Sequence, residues 1–451
     1  MICTQRRALQ FCRALKLSFG FAGTVLLSTI APIAVADPTT ALDRSSIITV
    51  DPNPAPVLAG GSEVIVFPPL PQNVVSPLTF NFTPVGNLLA MQSGTPAQQA
   101  LATNVINGFV AAADIWRTQF ADPITVSIDI DFGPIGNNVL GGASSNDTVQ
   151  TFSTVKSRLG IDAASADDAV AVASLPVGST VQFMTNDTAA NISPATSPRI
   201  RDSDTVGTPA NNNAFLDINR ANAKALGISV GAGSDANITF TDFSDYSPPT
   251  ALNWDFDRSN GIGGTLFDFI GVATHEIGHV MGFVSGVDIV DYVGSPNGPG
   301  RMAANGGPYD LDQFAVFNTL DLFRYSANSL AQPSQPAGGV KDWAFAQFDA
   351  SSRPYFSING GATNLGTFAT GSFNGDGRQS SHWQDNLGIG VMDPTAAPGE
   401  LLGVTSLDRR AMDVIGWDPN LVPEPAGFVL LAVAMFGLCA AGTRSTIRPA
   451  K

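Results

Sequence analysis

The chain has 451 residues, of which 44% are hydrophobic and 14% charged, so it can bury a sizeable core and is not disordered by composition. All 38 acidic residues but only 16 of the 23 basic ones lie within residues 37–425, a balance that excludes nucleic acid as a partner because it cannot neutralise phosphates. The cysteines are Cys3, Cys12 and Cys439. The body between them therefore has no disulfide, thiolate metal ligand or thiol nucleophile.

The N-terminus predicts export. Residues 1–16 are basic, residues 17–33 are mostly apolar, and Ala34-Val35-Ala36 has the small-x-small form of a signal-peptidase site. We therefore expect a signal peptide over residues 1–36. Residues 37–95 are rich in Pro, Gly, Asn and Val, and predict an irregular N-terminal leader with short extended runs at Glu63–Phe67 and Leu78–Phe82.

Residues 96–285 carry the clearest periodic patterns and predict an N-terminal catalytic subdomain. Thr95-Pro96 caps a helix in which apolar residues recur every three or four positions through Trp116. Strict alternation over Ile124–Phe132 predicts a half-buried strand. A second helix at Asn219–Leu226 and a strand at Ala236–Phe243 follow. Together these elements predict an α+β fold with a twisted mixed sheet.

The next segment, Asp255 to Gly261, contains Asp255, Asp257 and Asn260. Alternating oxygen side chains of this kind can bind Ca²⁺, although the glycine stands one position too late for an EF-hand loop. Calcium is therefore a secondary cofactor expectation. Residues 286–380 predict a long insertion rich in small polar residues, with one regular element at Asp310–Tyr325.

The strongest chemical motif is His275-Glu-Ile-Gly-His279, which lies within an apolar helical pattern. Residues four apart share one helix face, so both imidazoles can reach one metal ion, and Glu276 points about a quarter turn away, where it can hold a water molecule. Zinc in a catalytic site needs a third protein ligand and keeps its fourth position open.

The third ligand has three candidates. Asp288 lies nine residues after His279, Glu400 lies in a loop without the helical setting that a ligand glutamate uses, and His382 is the one histidine left in the chain. Elimination favours His382 and keeps Asp288 as the fallback.

Two motifs resemble the leishmanolysin-like metzincins, a family of zinc proteases. His382-Trp383 is followed, ten residues after His382, by Met392-Asp-Pro394, and the first motif continues into Gly282-Phe283. The resemblance implies zinc ligands at His275, His279 and His382, the general base at Glu276, and a Met-turn at Met392 beneath the metal. It also implies a metzincin-like fold, with the insertion followed by a small C-terminal subdomain over residues 381–420. No cysteine is present for a cysteine-switch prosegment.

The C-terminal residues 421–451 resemble the PEP-CTERM sorting signal. Pro423-Glu424-Pro425 precedes an uncharged stretch over residues 426–442 and then Arg444 and Arg448. The resemblance implies sorting by an exosortase at the surface of a Gram-negative bacterium. Seventeen apolar residues just span a bilayer, so this tail is the one membrane-contacting part that we expect.

The sequence therefore predicts an exported zinc endopeptidase that acts on protein or peptide substrates. Two alternatives remain open at this point. One is a non-catalytic surface or matrix protein with a structural zinc, against which the intact Glu276 argues, and the other is a zinc hydrolase of a non-peptide substrate.

Overall fold

A computed structural model describes residues 44–50, 76–187, 199–204, 211–246, 252–295, 315–345 and 352–420. The expected signal peptide, the extended run at Glu63–Phe67 and the sorting tail lie outside these residues. The described strands are β1 (Arg44–Val50), β2 (Thr79–Pro84), β3 (Thr125–Phe132), β4 (Val139–Ser145), β5 (Asp147–Thr151), β6 (Phe183–Asn186), β7 (Arg199–Asp202), β8 (Phe215–Asn219), β9 (Ala236–Phe240), β10 (Asn253–Asp255), β11 (Leu266–Asp268), β12 (Arg324–Tyr325), β13 (Lys341–Asp342), β14 (Tyr355–Phe356), β15 (Gly366–Thr367) and β16 (Thr395–Ala396). The described α-helices are α1 (Gly86–Met91), α2 (Pro96–Gln119), α3 (Phe152–Asp162), α4 (Ala166–Ala173), α5 (Asn211–Ala214), α6 (Arg220–Ala225), α7 (Phe269–Met281), α8 (Val287–Gly294), α9 (Ala327–Leu330) and α10 (Ser406–Val414).

The main sheet joins the two ends of the described chain. Its strand order is β16-β1-β4-β9-β3-β2. The pairs β2–β3, β3–β9 and β1–β16 are parallel, whereas β4 runs antiparallel to both β1 and β9. The sheet is therefore mixed, as the sequence predicted, and the fold class is α+β.

Helices α2 and α7 pack together beside this sheet. Aromatic rings fill the space between the three elements: the ring centroid of Phe240 in β9 lies 5.0 Å from that of Phe109 in α2 and 4.8 Å from that of Phe269 in α7. Such tilted aromatic contacts stabilise a core beyond their buried area alone. They fix the distance of α7 from the sheet.

Helix α2 begins where the sequence predicted. Thr95 accepts a hydrogen bond from the Gln98 backbone N–H, and the Gln98 side chain returns to the Thr95 backbone, which completes a capping box before Pro96. Strand β3 buries alternate residues, again as its pattern predicted.

Two segments differ from expectation. Within the expected irregular leader, β2 lies where an extended run was predicted at Leu78–Phe82, whereas β1 and α1 are elements that the sequence did not predict. In the described part of Asp310–Tyr325 there is no single element, because a 3₁₀ turn at Leu320–Phe323 leads directly into β12. The described residues up to Pro419 fall in one compact unit.

Candidate metal centre

Helix α7 carries the first motif and is fixed at both ends. Asp268 accepts a hydrogen bond from the Gly271 N–H at 2.9 Å and caps the N-terminus. Gly282 ends the helix with φ +117°, a conformation that favours glycine. In the middle, the Trp116 indole donates to the Thr274 carbonyl oxygen at 2.9 Å. Every residue of α7 is buried, so its position is set by packing on all sides.

The three histidines meet at one point. The Nε2 atom of His279 lies 2.9 Å from that of His275 and 3.1 Å from that of His382, and the third separation, between His275 and His382, is 3.2 Å. The structure thus brings His382 beside a pair that precedes it by more than one hundred residues. These three residues form the one grouping of possible metal ligands found among the described residues.

The outer nitrogen of each ring is held by the backbone. In every case Nδ1 lies within hydrogen-bonding distance of a carbonyl oxygen, which can only accept. The pairs are His275 with Val391 at 2.8 Å, His279 with Phe283 at 2.7 Å, and His382 with Gln379 at 3.2 Å. Each Nδ1 therefore carries the proton, and each Nε2 presents a lone pair to the other two.

Three lone pairs that face one another without a donor repel one another, so their arrangement suits a cation between them. Two nitrogens bound tetrahedrally at about 2.0–2.1 Å from zinc lie about 3.3 Å apart, close to the observed separations. Burial lowers the pKa of His275 to about 4. It also lowers the pKa of His279 and His382 well below the usual value, with a further contribution from the neighbouring rings. The rings are therefore neutral at pH 7, which is the form that binds a metal.

Glu276 lies beside this cluster and does not join it. Its side chain is fully buried, and neither carboxylate oxygen makes a hydrogen bond of normal geometry. Burial raises the pKa of Glu276 well above its usual value, although the backbone N–H groups of Ile48 in β1 and Ala143 in β4 lower it. A divalent cation nearby would draw that pKa back down.

Met392 lies under α7. Its side chain is fully buried, and a Cβ added to Gly278 would meet its sulfur at 2.5 Å. Gly278 stands between the two histidines of the helix, so the absence of a side chain there allows this close approach. The preceding residue, Val391, supplies the carbonyl that holds His275.

The two other ligand candidates have different contacts. Asp288 is buried and accepts hydrogen bonds from the backbone N–H groups of Ser380 and Ser381 at 2.5 and 3.2 Å, and from the Ser381 hydroxyl. Among the residues that the structure describes, it belongs to no metal-capable grouping, and its hydrogen bonds instead fix the backbone just before His382. Glu400 accepts from the Ala397 N–H at 2.8 Å and is also outside the cluster.

Asp408, in α10, is a site residue that the sequence did not point to. It is fully buried, and its carboxylate accepts from the Trp383 indole and the Val391 N–H, both at 2.8 Å. Trp383 adjoins His382, and Val391 holds His275, so one carboxylate positions the surroundings of two rings. The pattern Thr405-x-x-Asp408 predicts a helix cap, and the structure shows that cap. The pattern gives no sign, however, that the same carboxylate supports the histidines.

In the segment where calcium was expected, the carboxylates form hydrogen bonds within turns. Asp257 accepts from the Ser259 N–H at 3.0 Å, and Asp255 accepts from the N–H groups of Asp257 and Gly263, both at 3.0 Å. Asp257 is exposed and the hydrogen bonds from Ser259 lower its pKa. These carboxylates form no metal-capable grouping in the described part of the chain.

Comparison of the chain with protein-family models, curated proteins and solved structures finds no match. Within the described ranges, no helix has both the length and the apolar character that a membrane span requires. The buried triad could hold a metal ion.

Proposed function

We propose that this protein is a zinc-dependent endopeptidase of the metzincin type. The observation that carries the proposal is the convergence of three neutral imidazole nitrogens at 2.9–3.2 Å beside a buried carboxylate that is not one of them. Three histidine ligands with one open position are typical of catalytic zinc, whereas structural zinc usually has four protein ligands.

The residues would divide the work as follows. His275, His279 and His382 would hold the ion through Nε2, and their backbone partners would keep the rings in one tautomer. Zinc at this position would supply Lewis acidity to a peptide carbonyl and to a water molecule. Glu276 would accept a proton from that water and pass it to the leaving nitrogen. Glu276 suits this role because its oxygens make no normal hydrogen bond within the protein, and a nearby divalent cation would lower its pKa and keep it ionised.

A structural zinc remains the competing function, and one observation favours it. The side chains of the site are at most 1% exposed, which is more closed than a working catalytic centre can be. The position of Glu276 favours catalysis instead, because a structural zinc site does not require a buried carboxylate whose oxygens make no normal hydrogen bond. Hydrolysis of a non-peptide bond would use the same residues, and a panel of ester and amide substrates separates it from peptide cleavage.

The test compares two variants of the purified protein after zinc loading. Glu276→Gln keeps the shape of the side chain but cannot accept a proton, so it should bind zinc normally and lose about three orders of magnitude in peptide hydrolysis. His382→Ala removes a ligand, so zinc content and turnover should fall together. Zinc stoichiometry and casein or peptide hydrolysis are measured side by side. Unchanged turnover in Glu276→Gln would leave the structural-zinc function in place of catalysis.

We also propose that the protein is exported. The predicted signal peptide and the PEP-CTERM-like tail support secretion and exosortase processing at a Gram-negative cell surface. Mature protein should begin near Asp37 and lack residues 426–442. Recovery of a peptide containing Cys439 from mature protein would favour a retained membrane anchor.

A further inference from the structure

The chain leaves the metal centre at Ser285 and returns to it at Ser381, and these two residues are bonded to each other. The Ser285 N–H donates to the Ser381 hydroxyl at 2.9 Å. In the compact form of the zinc motif, a third histidine stands six residues after the second, and in this chain that position is Ser285. The residue at the compact ligand position therefore contacts the residue that directly precedes His382.

A carboxylate at the start of α8 holds the same segment. Asp288 accepts hydrogen bonds from the backbone N–H groups of Ser380 and Ser381 at 2.5 and 3.2 Å, and from the Ser381 hydroxyl. The Ser381 hydroxyl thus donates to Asp288 while it accepts from the Ser285 N–H. Because a hydroxyl has a single proton to donate, these two partners fix its orientation and join both ends of the insertion.

The carbonyl groups of the segment are held by a buried guanidinium. Arg324, in β12, is 1% exposed and donates to the carbonyl oxygens of Ser380 at 3.4 Å and Ala369 at 3.1 Å. The Ala369 N–H in turn donates to the His382 carbonyl oxygen at 3.0 Å. The N–H and the C=O of Ser380 are therefore both bonded to charged side chains of the insertion, Asp288 and Arg324.

His382 needs this support more than the other two histidines do. His275 and His279 share one helix, whose geometry fixes their separation, whereas His382 lies outside the described helices and strands. The three Nε2 atoms lie 2.9–3.2 Å apart with their lone pairs facing one another, and these lone pairs repel until a cation lies between them. A ligand on a loop would move away from the other two unless its backbone were held in place.

We propose that Asp288, Arg324 and Ser381 are positioning residues for the third metal ligand, and that the base of the insertion prearranges His382 for zinc. This role rests on the proposed function only as far as zinc binding, and it does not depend on peptide hydrolysis. The hydrogen bonds of the insertion replace the short spacing that places the third histidine in the compact motif. Once they are lost, zinc binding has to restore the arrangement of the site, and the affinity falls.

Two carboxylates of α8 provide a matched comparison. Asp291 accepts from the N–H groups of Phe373 and Asn374 at 2.8 and 2.9 Å, and from the Asn374 side-chain amide at 2.8 Å. Asp288→Ala and Asp291→Ala each leave several donors without an acceptor, so they should lower the unfolding free energy of the metal-free protein by similar amounts. Of the two carboxylates, Asp288 is the one that bonds the residues directly before His382.

Zinc affinity is measured by competition with a chromogenic chelator, and ligand geometry by the visible absorption of the cobalt-substituted protein. Asp288→Ala should lower zinc affinity about 10- to 100-fold and weaken the absorption bands of four-coordinate cobalt. Asp288→Asn should lie between, because its oxygen can still accept from the Ser380 N–H. Asp291→Ala should keep the affinity and the bands of the unaltered protein. Unchanged affinity in Asp288→Ala, or an equal loss in Asp291→Ala, would overturn the proposal.

Two adjacent serines provide a smaller perturbation, which decides the question if Asp288→Ala does not fold. Ser381→Ala removes the hydroxyl that joins Asp288 to Ser285 and should lower zinc affinity about tenfold. The Ser380 hydroxyl is buried and makes no hydrogen bond of normal geometry within the protein, so Ser380→Ala should leave zinc affinity unchanged. Equal zinc affinities in these two variants would refute the positioning role.

Peptide hydrolysis, measured on the same zinc-loaded samples, separates this role from the proposed function. If Asp288→Ala weakens zinc binding but no form cleaves peptide, the positioning role stands and the endopeptidase function fails. If the unaltered protein cleaves peptide and Asp288→Ala retains full zinc affinity, the function stands and the positioning role fails. An unaltered protein that binds neither zinc nor cobalt would overturn both.

Discussion

Replacement of Asp408 should weaken the metal centre without touching a ligand. Its buried carboxylate accepts from the Trp383 indole, the Val391 N–H and the Thr405 N–H, each at 2.8 Å. Asp408→Ala would leave these three buried donors without their acceptor. The backbone at Val391 would then be free to shift, together with the carbonyl oxygen that holds His275.

The size of the effect follows from the hydrogen bonds. An unsatisfied buried donor costs about 1–3 kcal/mol, so three donors give about 3–6 kcal/mol after some relaxation. Burial raises the pKa of Asp408, because an ionised carboxylate is unfavourable away from water. Asp408→Ala removes this unfavourable burial, so we expect a net loss of unfolding free energy of about 3 kcal/mol. Loss of an outer hydrogen bond of a metal-binding histidine costs about 10- to 100-fold in metal affinity, and we expect a decrease in that range.

Urea unfolding of the metal-free protein and competition with a zinc chelator measure the two effects. A control on the same helix is Arg410→Gln, which breaks the partly exposed ion pair with Asp167 and should cost under about 1 kcal/mol with unchanged zinc affinity. If Asp408→Ala binds zinc as tightly as the unaltered protein, Asp408 does not position the site. If Arg410→Gln weakens zinc equally, the effect belongs to α10 as a whole.

Three further predictions follow from other contacts. Gly282→Ala forces a side chain onto φ +117° and should lower the unfolding free energy by about 1–2 kcal/mol, whereas Gly264→Ala, at a glycine with open space around its Cβ position, should cost less in the same urea titration. Met392→Ala removes a fully buried side chain and should cost about 2–5 kcal/mol while zinc still binds; complete loss of zinc would make Met392 more than a packing residue. Burial, with repulsion from neighbouring carboxylates, raises the pKa of Asp122 to about 8, so the folded state holds this proton more tightly and stability falls as pH rises from about 4 to 8. Asp122→Asn should therefore be more stable than the unaltered protein at pH 8 by at least about 1 kcal/mol, with a gap that narrows toward pH 4, and a gap that widens on acidification would contradict the sign.

Local signals made part of the fold predictable. The cap at Thr95-Pro96, the alternation that ends at Phe132, and the apolar helix around His275 each specify an element through neighbouring residues. Helix α7 ends at Met281, just before the glycine that its sequence provides. The pair His275 and His279 was predictable for the same reason, because helical spacing alone brings them together.

Long-range pairing was not predictable in this way. The sequence of β4, with Gly141 and Gly142 at its centre, has little strand propensity, and its place depends on partners about one hundred residues away on either side. β1 lies in a segment whose overall composition indicates an irregular chain, although Ile47–Val50 are all β-branched and favour a strand. Its pairing with β4 and β16 joins residues far apart in the chain, which no local pattern encodes.

The residues of the site also differ in whether local or long-range contacts place them. His382 was predictable as the third ligand because the chain has three histidines. No local pattern indicates that it lies near His275 and His279. The carbonyl oxygens that hold the rings belong to the backbone, so the residue types at Phe283 and Gln379 carry no signal for them. Asp288 was a reasonable ligand candidate by chemistry, but its hydrogen bonds to Ser380 and Ser381 place it beside the site.

The pairing of β1 with β16 brings together residues 49 and 395, almost the full length of the described chain. Contacts of such sequence separation form late, because the entropy of closing a long loop is lost before the contact stabilises anything. The loop that carries His382 is held by Asp288 and also, through Gln379, by β1, so the meeting of the two chain ends completes the support of the third metal position. Zinc capture should consequently report a late step of folding, and refolding followed by zinc binding should be slower than refolding followed by the signal of the helices.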